Sequence, residues 1–319
     1  MPPRAATLPL LIVQGDWLEA RDLAMVTRVE GSPLERHMAV TILGNLARFQ
    51  GDTELAWEMI GEIVHRGPAS EPGDALFPYA IEALQLAAGL ALDASDAGAT
   101  RDWLRTHDRW LDWSGAVCGR AESSLLRAQL HQLEGDIERA GHCAREALEL
   151  ATEPRQPLAL LAIHRFLGQL ATQAEHYEEA GSQLRQALSL AEACAAPYER
   201  ARTLLALADL SLLTGREKDV PPLLDEVRRI AARLEAVPLM TVVEELETRL
   251  EASASKPVLT AREIDVLRLV TEGITDAEVA EQLYISPRTV GQHLRSIYNK
   301  LGVSSRTAAT RRAVEEGLV

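Results

Sequence analysis

Cysteine is scarce in this chain. Cys118, Cys143 and Cys194 are the only three in 319 residues, with no C-x-x-C pair, so neither a disulfide framework nor a zinc knuckle is suggested and a reducing cytoplasm fits best. Aromatic residues make up only 4%, and the alternating Val, Ile and Tyr runs that would mark strands are missing, whereas a 47% apolar content rich in Ala and Leu is a helical composition. No stretch approaches the ~20 apolar residues of a membrane span. Leu158 to Ile163 runs straight into His164-Arg165, and Leu8 to Val13 stops at Gln14-Gly15-Asp16, short of a signal-peptide core. Also missing are G-x-x-x-x-G-K-[ST], any Gly-Lys pair, G-x-S-x-G, H-E-x-x-H and any spaced metal-ligand cluster. An enzyme reading would rest on Asp102, His107 and Ser114, which form none of these patterns, so no enzyme, cofactor or metal is expected.

Positive charge is short overall but unevenly spread. Against 33 Lys and Arg stand 47 Asp and Glu, for a net charge of −14. From Lys256 to Val319 nine basic residues face eight acidic ones, so that segment carries +1 and the remainder −15. Between Thr289 and Arg312 lie Arg295, Lys300, Arg306, Arg311 and Arg312 with no acidic residue. An acidic first part repels phosphate, so nucleic-acid contact is expected only in this last sixth of the chain.

That last sixth reads as four short helices. Thr260 with Glu263, and Thr275 with Glu278, have the spacing of a capping box, in which hydroxyl and carboxylate satisfy each other's free backbone N–H groups. Ser286-Pro287 puts a capping hydroxyl before a proline whose missing N–H costs nothing there, and Gly302 supplies the stop. At about 100° per residue, Val290, Leu294, Ile297 and Leu301 fall within roughly 40° of one another and form a stripe to bury. Arg288, Gln292, Arg295 and Asn299 fall about 140 to 200° away from Val290. Arginine can take guanine or phosphate and Gln or Asn can pair with adenine, as a helix in the major groove requires. His293 lies beside the stripe, able either to pack or to donate to a phosphate.

The residues Leu259-Thr260-x-Arg262-Glu263, Val266-Leu267, Gly273, Ala280, Ile285-Ser286-Pro287-Arg288-Thr289-Val290, His293-Leu294, Ile297-Tyr298, Lys300-Leu301 and Val303-x-x-Arg306 together resemble the LuxR-type helix-turn-helix domain of bacterial transcription regulators. The resemblance implies that the helix from Thr275 to Leu283 supports a recognition helix from Pro287 to Leu301. Thr275, Ser286, Arg288, Thr289, Gln292, His293, Arg295, Asn299 and Lys300 are the expected DNA contacts. It also implies that the last helix, from about Ser305 to Glu316, pairs two domains through Ser305, Ala308, Ala309 and Arg312. The chain departs from the pattern at Asp276-Ala277, where Asn-Lys is frequent, and at Gly291, where many members carry a basic or polar residue. Region 4 of sigma factors is a related helix-turn-helix, but no promoter-melting aromatic-basic segment accompanies it here.

The first 250 residues are expected to be a helical repeat. Turns at Gly15-Asp16, Gly51-Asp52, Ser95-Asp96, Gly135-Asp136, Glu175-His176 and Gly215-Arg216 are spaced by roughly 40 residues, a period that signals stacked helix hairpins. Five residues after the glycine or its stand-in come Ala20, Ala56, Thr100, Ala140, Ala180 and Val220. Ala147-Leu148-Glu149-Leu150-Ala151 recurs as Ala187-Leu188-Ser189-Leu190-Ala191, and the breaker Pro157 recurs as Pro197. The array resembles the tetratricopeptide class in a lengthened form. Its first copy is incomplete, which would expose an N-terminal stack face. The Trp-rich segment Arg101 to Trp113 offers either an aromatic groove or bulky packing, and the spacing of Trp103 and Trp110 favours packing.

The expected architecture is therefore all-α: a superhelical stack of about 40-residue, tetratricopeptide-like hairpins over 1–250, a linker over 251–258, and a four-helix LuxR-type domain over 259–319. Repeat arrays followed by such a domain look like the C-terminal half of the large ATP-binding LuxR regulators. Lacking a P-loop, the chain is expected to be either a naturally short relative or a regulator without its nucleotide module. The expected function is transcription regulation by binding double-stranded DNA as a homodimer, under control of a ligand or protein partner held by the repeats, with RNA polymerase as a further candidate partner. The competing reading is a protein-interaction scaffold whose helix-turn-helix no longer reads DNA.

Overall fold

The computed structural model describes residues 4–254, 259–315 and 317–318. Among them the chain is all-α, with seventeen α-helices, three short 3-10 helices and no strand. It divides into two compact units, Met1–Thr248 and Arg249–Val319. No helix among the described residues is long and apolar enough to cross a membrane.

The first unit is built from helix hairpins. In chain order they are α1 (Leu8–Gln14) with α2 (Trp17–Glu30), α3 (Pro33–Gln50) with α4 (Thr53–Ile63), α5 (Phe77–Asp93) with α6 (Ala97–Ser114), α7 (Arg120–Leu133) with α8 (Ile137–Thr152), α9 (Pro157–Gln173) with α10 (Tyr177–Ala193), and α11 (Pro197–Leu213) with α12 (Val220–Leu234). A further helix, α13 (Val237–Ala254), follows.

One turn design closes all six hairpins. Gly15, Gly51, Ser95, Gly135, Glu175 and Gly215 each adopt a left-handed conformation, with φ from +57 to +90°. The next residue donates its N–H five residues back, as in Asp16 to Leu11, Asp52 to Ala47 and His176 to Ala171, at 2.8–2.9 Å, so the last carbonyls of the first helix are satisfied. Where that next residue is Asp52, Asp96 or Asp136, its carboxylate also accepts from the N–H three residues on, at 2.9–3.0 Å, and caps the second helix. The Gly-Asp pair thus ends one helix and starts the next. The small residues after each turn, Ala20, Ala56, Thr100, Ala140, Ala180 and Val220, are all fully buried where the paired helices approach.

Several expectations change in detail. Pro157 and Pro197 do not break helices but begin α9 and α11, at the first helical position where a missing N–H is harmless. Trp103 and Trp110 are buried packing residues, but Trp113 is exposed. α13 continues to Ala254, through the first residues of the linker expected over 251–258; 255–258 lie outside the described residues. Leu10, Leu18, Met25, Val26 and Val29 leave apolar side chains exposed on α1 and α2.

Within this unit the first and last hairpins meet. Trp17 stacks on Phe49 with ring centroids 5.7 Å apart, and Tyr198 at the start of α11 lies 5.3 Å from Trp17 and 4.5 Å from Phe49. The Gln50 amide donates to the Leu234 carbonyl at 3.1 Å. A Cβ on Gly15 would sit 2.6 Å from Pro197 Cγ, so at this turn space as well as the left-handed conformation favours glycine.

The second unit contains α14 (Ala261–Thr271), α15 (Asp276–Gln282), α16 (Pro287–Leu301) and α17 (Arg306–Glu315). Its core gathers Val266, Leu267 and Val270 of α14, Val279 and Ala280 of α15, the apolar stripe of α16, and Ala309 and Ala313 of α17.

Candidate nucleic-acid interface

The helix that carries the candidate interface is fixed at both ends. Ser286 Oγ accepts from the Thr289 N–H at 3.1 Å, Pro287 takes the first helical position, and Gly302 closes the helix at φ +62°. Val290, Leu294, Ile297 and Leu301 are buried and hold one side of α16 against the domain core. Arg288, Gln292, Arg295 and Asn299 are all exposed. Among the described residues none of these four side chains makes a hydrogen bond or ion pair with the protein. The burial of one stripe leaves the four as a set, two cations and two amides, on the far side of a rigid helix. Such a face offers bidentate donors and mixed donor–acceptor amides to a polyanion with base edges.

The flanking residues divide by what they touch. Thr289 is half-buried with its hydroxyl 2.8 Å from that of Ser286, and His293 is half-buried beside the stripe. Thr275 caps α15: its N–H donates to Glu278 at 2.6 Å and its hydroxyl accepts from the Glu278 N–H at 3.4 Å. Lys300, expected among the DNA contacts, is half-buried. Its Nζ donates to Glu263 at 2.6 Å. Glu263 also accepts from Ser296 Oγ and from the Thr260 N–H, each at 2.6 Å, and its N–H donates back to Thr260 at 3.2 Å. Burial pushes this carboxyl up, but Lys300, Ser296 and Thr260 outweigh it and bring its pKa down to about 2.

The residues expected to pair two domains through the last helix differ in exposure. Ser305 accepts from the Ala308 N–H at 3.2 Å and starts α17, with Ala308 half-buried and Arg312 exposed. Ala309 is fully buried in the domain core, so its methyl has no surface to offer a second copy. Arg306 does not extend the basic patch: its guanidinium pairs with Asp276 and donates to the Ile274 carbonyl, tying the start of α17 to the start of α15. The residue that replaces an expected phosphate contact therefore holds two helices together.

Two features escaped the sequence reading. Glu263 was legible as a cap but not as the anchor of α16, because its partners lie 33 and 37 residues away and nothing local links them. Tyr284, in the turn between α15 and α16, adopts φ +54° and is 96% exposed. A bulky residue in a position that favours Gly or Asn was the available signal.

The enzyme candidates do not converge on a shared site. Asp102 pairs with Arg105 at 3.0 Å, His107 is buried 3.2 Å from the Gln85 amide, and Ser114 donates to the Leu111 carbonyl at 3.1 Å. No cluster of metal-ligating side chains occurs among the described residues.

Residues 257–313 match the family model for bacterial regulatory proteins of the luxR family. A nitrate/nitrite response regulator protein homolog of Haemophilus influenzae is 38% identical over 103 residues, 32% of this chain and 48% of its own length. The transcriptional regulatory protein DegU of Brevibacillus brevis is 39% identical over 71 residues, 22% of this chain and 30% of its own. The chain spans from 7% to about half of the length of such curated relatives. Among solved structures, a Rap protein complexed with competence and sporulation factor is similar over 93% of this chain and 82% of its own, with a TM-score of 0.56 and 14% identity, a likeness of fold. Residues 257–313, with their capped α14 to α17 and buried α16 stripe, thus form a helix-turn-helix domain of the bacterial luxR family, joined in this chain to a helical repeat unit.

Proposed function

We propose that the chain is a sequence-specific transcription regulator that binds double-stranded DNA with α16 in the major groove, and whose repeat unit receives a ligand or protein signal. The observation that carries this reading is the uncommitted face of α16: Arg288, Gln292, Arg295 and Asn299 exposed together, opposite the stripe that anchors the helix. The regulators that the second unit resembles support it, and so does a local +1 charge in a chain of −14. A single domain of this size makes few phosphate contacts, so two copies pair on a near-palindromic site, through the start and outer face of α17 around Ser305, Ala308 and Arg312. RNA polymerase is the natural further partner of such a regulator. The Rap protein of similar fold, complexed with its factor, fits a receiving role for the repeats.

Binding of the full chain to duplex DNA across a range of salt, compared with Arg295→Ala and Arg288→Ala, tests the groove assignment. Each substitution removes an exposed side chain, so the fold persists while affinity falls by about 1–3 kcal/mol, roughly tenfold or more. Unchanged affinity in Arg295→Ala would remove α16 from the groove and leave the scaffold reading.

A further inference from the structure

The repeat unit holds a cavity of about 520 Å³ bordered by parts of α1, α2, α3, α5, α9 and α11. That volume falls within the range of small-molecule sites, roughly 300–1,000 Å³. Its lining is largely apolar, and it includes the Trp17, Phe49 and Tyr198 group that joins the first and last hairpins, together with Tyr79.

Two carboxylates line the cavity, and the fold treats them differently. Glu199 is already matched: Arg165, itself buried, pairs with it, and Arg202 lies 3.4 Å away. Burial pushes the Glu199 carboxyl up, but the two guanidinium groups outweigh it and hold its pKa at about 2. Glu82 has no cationic partner among the described residues. Glu82 is exposed at the rim of the lining, and partial desolvation raises its pKa from the ordinary value, against the lowering effect of Thr41.

An unmatched carboxylate among aromatic rings suits one kind of occupant. An anion would be repelled by Glu82, and the Arg165 and Arg202 guanidinium groups are already engaged by Glu199. A neutral apolar molecule would leave Glu82 further desolvated and still unpaired. A cation would be attracted both by Glu82 and by the aromatic rings of the same lining, one of which, Tyr198, already has the Arg202 guanidinium 5.9 Å from its centre. We propose that this cavity binds a small organic cation, an amine or quaternary ammonium carried on an apolar body, with Glu82 as its counter-charge. The proposal rests on the reading that the repeats receive a signal, and it names the chemistry of that signal.

The test uses the full chain without DNA and three probes of matched shape: phenylbutylamine, phenylbutanol and phenylbutyrate. Binding is followed by calorimetry and by the fluorescence of Trp17 and its neighbours. The amine should bind about tenfold or more tightly than the alcohol, with the carboxylate weakest. In Glu82→Gln, a near-isosteric change at a solvent-reached position, the amine should lose that preference while the alcohol's affinity stays within about twofold. Equal binding of all three probes, a preference that survives Glu82→Gln, or no saturable binding would each overturn the proposal. An unchanged urea midpoint shows that Glu82→Gln still folds. Because DNA is absent, loss of the DNA-binding reading leaves this result standing. A saturating amine that leaves DNA affinity unchanged would remove the control by ligand but not the site.

Discussion

Glu263 and Lys300, 37 residues apart, form a pair at 2.6 Å that joins the first helix of the luxR-type domain to the end of its exposed α16. The same carboxylate caps α14 through Thr260 and accepts from Ser296, so one buried side chain sets both the start of one helix and the seating of another. Replacing it by Gln keeps the shape but removes the charge that pairs with the Lys300 ammonium. Because that ammonium is partly hydrated, the loss is expected at about 1–3 kcal/mol rather than at the extreme of fully buried pairs.

The sign of the pH dependence follows from the lowered pKa. The ordinary value of 4.5 falls to about 2 in the folded domain. The stability this group contributes is therefore fully present above about pH 4.5 and disappears as the pH falls toward 2. Urea unfolding of wild type and Glu263→Gln should show a difference at pH 7 that shrinks across that window. A difference independent of pH would mean that Glu263 acts through packing alone.

Gly15 and Gly215 close equivalent turns, but their surroundings differ. A Cβ at Gly15 meets Pro197 at 2.6 Å, whereas one at Gly215 meets nothing within 4 Å. Both carry positive φ, +79° and +70°. Gly215→Ala should cost only the conformational strain of about 1–2 kcal/mol. Gly15→Ala adds a collision with the first turn of α11 and should cost at least about 1 kcal/mol more. Equal losses in thermal unfolding would show that the contact between first and last hairpins is easily relaxed.

Gly291 lies exposed within α16, and an added Cβ there meets nothing within 4 Å. Gly291→Ala should stabilise the domain by about 0.5–1 kcal/mol, through the smaller backbone entropy lost on helix formation. A lower urea midpoint in this variant would contradict the open helical environment described for that position.

The helix-turn-helix domain was legible because its signals are local. Thr260, Thr275 and Ser286 announce their helices within three residues, and the faces of α16 follow from a single period. The repeat was legible for the same reason, since one left-handed residue and one following cap recur at fixed intervals. What the chain conceals is how distant segments use the same residue. Nothing local signals that Lys300 and Arg306, both in the basic run, sit against Glu263 and Asp276, or that Ala309, expected at the pairing surface, is buried in the domain core. The closure of α1 and α2 onto α11, which creates the cavity, joins residues more than 180 apart, such as Trp17 and Tyr198, and has no local signature.

A selection from randomised duplex DNA with the full chain, followed by binding isotherms of the enriched sequence at several salt concentrations, tests the central claim most directly. The account predicts a two-fold-symmetric motif, a steep loss of affinity with salt, and loss of enrichment in Arg295→Ala. A correctly folded chain that enriches no sequence would contradict it.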